Sequence, residues 1–188
     1  MGINEAKKYI AELRKRQGDP YSWPNFLTGL PDNAAVIEKT REIFPLLSKH
    51  SIFYMRIANI QPYLIKYGSD RHVDIIQWAA AILKTSADKY NSFIGSFGTH
   101  DFVAICTEEN AKGFIEEASK TFEKKALSFY SDEDIKKGRL LSFTKEGKKI
   151  NIGFMKLIFS NISGKTDIPK AQIIPHLERL CSELEKAL

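Results

Sequence analysis

Ser92-Phe93-Ile94-Gly95-Ser96-Phe97-Gly98-Thr99-His100-Asp101-Phe102-Val103-Ala104-Ile105-Cys106-Thr107 holds two β-rich runs, Ser92 to Phe97 and Phe102 to Thr107, joined by Gly98-Thr99-His100-Asp101. A short link of turn-forming residues between two such runs predicts an antiparallel hairpin. On either side the pattern becomes helical. Upstream, Val73, Ile76, Ala80 and Leu83 recur at three- and four-residue steps and predict a helix from His72 to Thr85. Downstream, Ala111, Phe114, Ile115, Ala118 and Phe122 predict another. Ser51 to Ile57 reads as a strand. Its run Ile52-Phe53-Tyr54-Met55 is nearly continuous, as a strand covered on both faces should be. Phe154 to Phe159 reads as the last strand.

The outer segments complete the pattern. Val36, Thr40, Ile43, Phe44 and Leu47 share one helical face after Asn33. Ile174, Leu177, Cys181, Leu184 and Leu188 form the face of a closing helix, with Pro175 suited to its first turn. Asp132 to Lys149 is highly charged, with Gly138 and Gly147 bracketing Leu140-Leu141-Ser142-Phe143. With Tyr130 before it, this stretch is expected to be a solvated surface excursion carrying a small β-ribbon. Residues 3 to 16 predict a short helix that Gly18-Asp19-Pro20 breaks. The order helix, strand, helix, hairpin, helix, strand, helix is that of an α+β domain with helices packed on a mixed sheet. Residues 1–20 are then a basic linker helix and 21–188 the domain.

Composition bounds the function. The 188 residues are 43% hydrophobic and 27% charged, enough for a core and too apolar for a disordered chain. No apolar run approaches the roughly 18 residues of a membrane span, and Met1-Gly2-Ile3-Asn4-Glu5 lacks the apolar region of a secretory signal. A cytoplasmic protein without membrane insertion is expected. Cys106 and Cys181 lie in an apolar run and a helical pattern, without the close pairing of a metal or redox motif, and read as buried thiols. The formal charge is +5, of which Lys7, Lys8, Arg14, Lys15 and Arg16 against Glu5 and Glu12 supply +3. A basic helix on a nearly neutral body, without an aromatic-plus-basic recognition motif, does not point to nucleic acid. Ile3, Tyr9, Ile10 and Leu13 form that helix's apolar set.

Asn25-Phe26-Leu27-Thr28-Gly29-Leu30-Pro31 resembles the D-x-L-T-G-L-P-N-R opening of the GGDEF family, the diguanylate cyclases. Further landmarks follow in the family's order: the strand ending Arg56-Ile57-Ala58-Asn59-Ile60, then Tyr67-Gly68, then the hairpin Ser96-Phe97-Gly98-Thr99-His100-Asp101-Phe102. The resemblance spans Asn25 to Leu188. It implies a mixed central sheet flanked by helices, of the nucleotidyl-cyclase or ferredoxin-like palm type. It also implies which chemistry each position would perform. In active members two GTP-binding domains face each other, and carboxylates on the strand and turn hold divalent metal over the triphosphate. Such metal supplies the charge neutralisation on which phosphoryl transfer depends, and hard cations require oxygen ligands.

The resemblance places departures at the positions that matter. The family's metal-binding Asp falls on Arg56 and the second acid of that motif on Ala58. A guanidinium accepts no metal. In the signature turn Gly98-Thr99-His100-Asp101-Phe102, His100 replaces a catalytic carboxylate, Asp101 is shorter than the family's Glu, and Thr99 adds a Cβ where phosphate should approach backbone. The residues that would hydrogen-bond guanine fall on Leu64 and Val73, leaving its polar edge unpaired at roughly 1–3 kcal/mol per group. The inhibitory Arg-x-x-Asp falls on Lys89 and Ser92, which keep one positive charge but lose the planar fork and the carboxylate.

The expectation is therefore a degenerate, non-enzymatic GGDEF domain with no metal and no cofactor. It would act as a regulatory or protein-interaction module in bacterial cyclic di-GMP-related signalling, with protein partners and an upstream sensory or receiver domain. The alternative is a non-catalytic receptor that binds cyclic di-GMP or GTP. Arg56 either pairs with Asp101 across adjacent strands, as a latch, or points to solvent. His100 is expected to be a solvated turn residue and no metal ligand. His50 and His72 sit at helix boundaries, and Leu64, Ile65 and Val73 are expected to extend the core, the alternative being an apolar groove where a base would sit.

Overall fold

The computed structural model describes residues 2–16 and 25–188. In chain order the elements are α1 (Gly2–Arg16), α2 (Asn33–Ile43), β1 (His50–Ala58), α3 (Ile60–Tyr67), α4 (His72–Lys89), β2 (Phe93–Phe97), β3 (Asp101–Thr107), α5 (Glu108–Ala126), α6 (Asp132–Lys137), β4 (Leu140–Phe143), β5 (Lys149–Ile152), β6 (Lys156–Ser163) and α7 (Ile173–Lys186). The break expected at Gly18-Asp19-Pro20 lies outside the described residues.

Four strands form the central sheet in the order β2-β3-β1-β6. The α+β class with flanking helices is as expected, but all three pairings are antiparallel, where a mixed sheet was predicted. The reason is topological. The helical crossover from β1 returns β2 parallel to it, yet β3 inserts between them; the crossover from β3 likewise returns β6 parallel to it, with β1 between. Two split β-α-β units interleave, so parallel strands never become neighbours.

Strand alternation divides the core into two layers. Phe53, Met55 and Ile57 of β1, with Phe102, Ala104 and Cys106 of β3, pack under α4 and α5. Ile52 and Tyr54, with Val103 and Ile105, pack against α2 and α7 through Val36, Ile43, Leu177 and Cys181. β1 is thus covered on both faces, and both cysteines are buried free thiols, as the sequence indicates. Capping follows local chemistry. Asp32 accepts from the Ala35 amide at 3.0 Å to start α2, and Glu108 and Glu109 open α5 while Lys124 and Lys125 close it, each charge matching the helix dipole. Gly95 is required by packing, because a Cβ there would lie 2.4 Å from Val36 Cγ2.

Several expectations need correction. α3 is an unpredicted helix: Asn59 takes a left-handed conformation that turns the chain directly from β1 into it, and only Ile60 and Tyr63 are buried, too short a stripe to show periodicity. α4 runs to Lys89 and not Thr85, because Ser86 and Ala87 are buried like the turns before them. Leu184 and Leu188, assigned to the closing face of α7, are 47% and 51% exposed; the sheet is already covered by Ile174, Leu177 and Cys181. The excursion is not wholly solvated. It contains α6, started by Ser131 and ended at Gly138, and it buries Asp134, Leu140 and Ser142 together with Tyr130. α1 lies against the body through buried Ala6, Ile10 and Leu13, with Tyr9 donating to the Thr28 carbonyl at 2.6 Å and Arg14 pairing with Asp74 at 2.9 Å.

Candidate functional site

The C-terminal end of β1, the β2–β3 turn and the last turns of α7 converge on one point. Tyr54 and Arg56 lie on the same face of β1 by the two-residue period, and Arg56 stands directly opposite Asp101, the first residue of β3. Arg56 donates from Nε to Asp101 Oδ1 and from Nη2 to Oδ2, both at 2.8 Å. This is the two-pronged geometry that makes guanidinium–carboxylate pairs strong. Tyr54 adds a third donor to Asp101, its hydroxyl lying 2.5 Å from Oδ2. From α7, the third guanidinium nitrogen Nη1 reaches Ser182 Oγ at 2.9 Å and Glu185 Oε2 at 3.2 Å. The side chains of Arg56 and Asp101 are only 17% and 11% exposed.

The electrostatics follow from these contacts. The hydrogen bonds to Asp101 raise the Arg56 pKa against the opposing effect of burial. Burial, followed by the bond to Asp101, raises that of Tyr54, so the phenol remains a donor. Of the two alternatives left open for Arg56, the structure adopts the latch.

Beside the latch, His100 turns its Nε2 to within 2.8 Å of His72 Nε2 at the start of α4. One ring must donate and the other accept at this distance. Burial and then His72 lower the His100 pKa, which favours the neutral ring that such a bond needs. His100 is therefore not the solvated turn residue expected, and His72 does more than begin a helix. The turn is further held by the His100 carbonyl, which accepts from the Ile57 amide at 3.2 Å, while Gly98 adopts φ 72°.

A cleft of about 380 Å³ opens over this assembly, lined by Arg56, Gln61, Thr99, Asp101, Glu178 and Glu185 among others. Leu64 is half-buried against the core, whereas Ile65 and Val73 are 42% and 47% exposed. The expectation that all three extend the core holds for Leu64 alone, since α3 and the start of α4 turn Ile65 and Val73 outward. Lys89 and Ser92 lie away from the cleft. Lys89 pairs with Glu117 of α5, and the Ser92 hydroxyl donates to the Tyr90 carbonyl at 3.0 Å. Ala58 is fully buried. Among the described residues no cluster of three or more His, Cys, Asp or Glu has the arrangement of a metal site.

The sequence reading missed Tyr54, His72, Ser182 and Glu185. One signal for the α7 pair was present: Glu178, Ser182 and Glu185 recur at four and three residues, placing them on one helical face. Nothing in the spacing shows that this face meets Arg56.

No protein-family model matches the sequence, and no curated protein does. Solved structures do. The GGDEF domain of DgcB from Caulobacter crescentus in complex with c-di-GMP is 11% identical, covering 86% of this chain and 88% of that one at a TM-score of 0.59. The coiled coil and GGDEF domain of the same protein, also with c-di-GMP, is 11% identical over 98% of this chain and 93% of that one at 0.60. The diguanylate cyclase SiaD from Pseudomonas aeruginosa, in complex with its activator SiaC, is 11% identical over 98% of this chain and 66% of that one at 0.60.

Proposed function

Because this chain has the fold of GGDEF domains, we propose that it is a catalytically inactive GGDEF-type domain, a regulatory module that contacts a protein partner in cyclic di-GMP-related signalling. The observation that carries this reading is the Arg56–Asp101 latch. A guanidinium occupies the place where the resemblance calls for a divalent cation's ligand, and it brings its own positive charge to the carboxylate that such a cation would bind. Asp101 already accepts three hydrogen bonds, from Arg56 twice and from Tyr54 once. The remaining carboxylates at the cleft are Glu178 and Glu185, the second committed to Arg56. This donor set does not suit the metal that phosphoryl transfer would need.

The outer shell supports the same reading. Leu64 and Val73 offer no hydrogen bond to a base, and Glu117 neutralises Lys89. α1 packs its apolar stripe on the body, and in this reading it would relay changes from an upstream sensory or receiver domain. That SiaD is solved with an activator protein makes a protein partner the natural expectation here.

Incubation of the purified chain with GTP and magnesium is expected to yield no cyclic di-GMP above a no-enzyme blank, and turnover would overturn the proposal. Titration calorimetry with cyclic di-GMP and GTP is expected to be silent. Micromolar heat from either would replace an interaction module with a nucleotide receptor.

A further inference from the structure

The segment from the end of α6 to the start of β5 carries charge that the described residues leave mostly unpaired. Lys136, Lys137, Arg139, Lys145, Lys148 and Lys149 meet a single acid, Glu146, within residues 136–149, a local charge of +5 that equals that of the whole chain. All six cations are exposed. Lys137 pairs with Glu133 on its own helix. Among the described residues, none of the other five has a carboxylate at ion-pair distance. The preceding acids, Asp132, Glu133 and Asp134, lie in the first turn of α6, so the two signs are segregated and not mixed.

The same segment exposes apolar side chains for a structural reason. β4 is anchored by alternate residues: Leu140 and Ser142 are fully buried, and Ser142 donates to the Pro62 carbonyl at 2.6 Å. The two-residue period then forces Leu141 and Phe143 outward, where they are 41% and 47% exposed. Phe143 stands opposite Lys149, and Leu141 opposite Asn151. The ribbon cannot bend inward to hide them, because α6 is clamped as well: Lys66 donates to both Asp134 oxygens, at 2.8 and 2.7 Å. The result is an outward apolar pair on a ribbon whose flanks and turn carry cations, Lys149 standing directly opposite Phe143.

An occupant must supply negative charge and an apolar boundary together. Single-stranded nucleic acid would answer the lysines, but it binds through successive aromatic platforms, and this face has one aromatic ring beside a leucine. A bilayer with anionic lipid answers both features, with phosphates for the cations and the headgroup–acyl boundary for Phe143 and Leu141. We propose that the outer face of the β4–β5 ribbon docks the protein on an anionic membrane surface. This is peripheral attachment. Among the described residues no helix is long and apolar enough to cross a membrane. Neither feature suffices alone, since stable peripheral binding takes two signals, and the ribbon presents two. The inference does not depend on the reading of the Arg56 site.

The test is co-sedimentation of the full chain with vesicles of phosphatidylcholine alone and of phosphatidylcholine with about one third phosphatidylglycerol. Binding is expected to the anionic vesicles only, and to be released at about 1 M salt, where the Debye length is near 3 Å. Leu141→Ser with Phe143→Ser is expected to reduce partitioning about tenfold. Lys145→Glu with Lys148→Glu and Lys149→Glu should reduce it further, since each cation near such a surface is worth roughly fivefold. All five positions are exposed, so both variants should keep the parent circular dichroism. Absence of binding to anionic vesicles, equal binding by parent and both folded variants, or displacement of the vesicles by a single-stranded oligonucleotide at lower concentration would overturn the proposal.

Discussion

Two cationic features of this molecule treat their charge in opposite ways. Arg56 is enclosed at the end of β1 and holds every guanidinium nitrogen in a hydrogen bond, to Asp101, Ser182 or Glu185. The segment around the ribbon holds five cations that have no carboxylate at ion-pair distance among the described residues. A charge taken from water must be paired by the fold, because an uncompensated one costs several kcal/mol. One left in water contributes little to folding and stays available for something else. Position alone therefore separates cations that hold the structure from cations free to act outside it.

The sharpest way to break this contrast is to remove the acid of the latch. Asp101→Ala leaves Arg56 only its Nη1 bonds to Ser182 and Glu185 and takes the acceptor from the Tyr54 hydroxyl. Chemical denaturation is expected to show a loss of about 3 kcal/mol. A loss under about 1 kcal/mol would mean that the pair is ornamental.

The base of the ribbon should behave like the latch. Asp134 accepts from Lys66 and Tyr67, and those bonds hold its carboxyl below the usual range. Asp134→Ala should cost about 2 kcal/mol by the same measurement. In the parent, the stability that Asp134 provides is present above pH 3.8, its ordinary value, and is lost as acid titrates it through its lower folded value. The variant's pH profile should be flatter in that window.

The histidine contact predicts a smaller effect of the same sign. Because the folded protein lowers the His100 pKa below its ordinary value of 6.5, the unfolded chain takes up the proton first. Melting temperature should therefore fall as pH drops from 6.5. His72→Gln, which removes the neighbouring ring that helps to lower it, should shrink that fall, and an unchanged profile would dissociate the pair from stability. The smallest effect is expected on the ribbon itself. Lys148→Ala removes one positive charge from water and should change stability by less than about 0.5 kcal/mol.

Legibility followed the range of the forces involved. The helical faces around Val36, Ile76 and Phe114 and the hairpin from Ser92 to Thr107 were readable, because periodicity and turn chemistry act within a few residues. α3 was not, since its course depends on the left-handed Asn59 and on the packing of Tyr63 against distant Tyr130. Leu184 and Leu188 were misread for a related reason: a helical face predicts burial only as far as the sheet beneath it extends.

By itself the sequence determined the order of the central strands and of the helices around Val36, Ile76, Phe114 and Leu177, the α+β class, the buried cysteines and the identities of Arg56 and Asp101 at positions where the family resemblance expects acids. Only the tertiary structure decided that those two residues meet. Their partnership rests on a register between strands 45 residues apart and on α7 crossing above them, and no local pattern encodes which helix will cover which strand end. The same holds for His72 and His100, and for Leu141 and Phe143, whose exposure was settled when Leu140 and Ser142 found places inside.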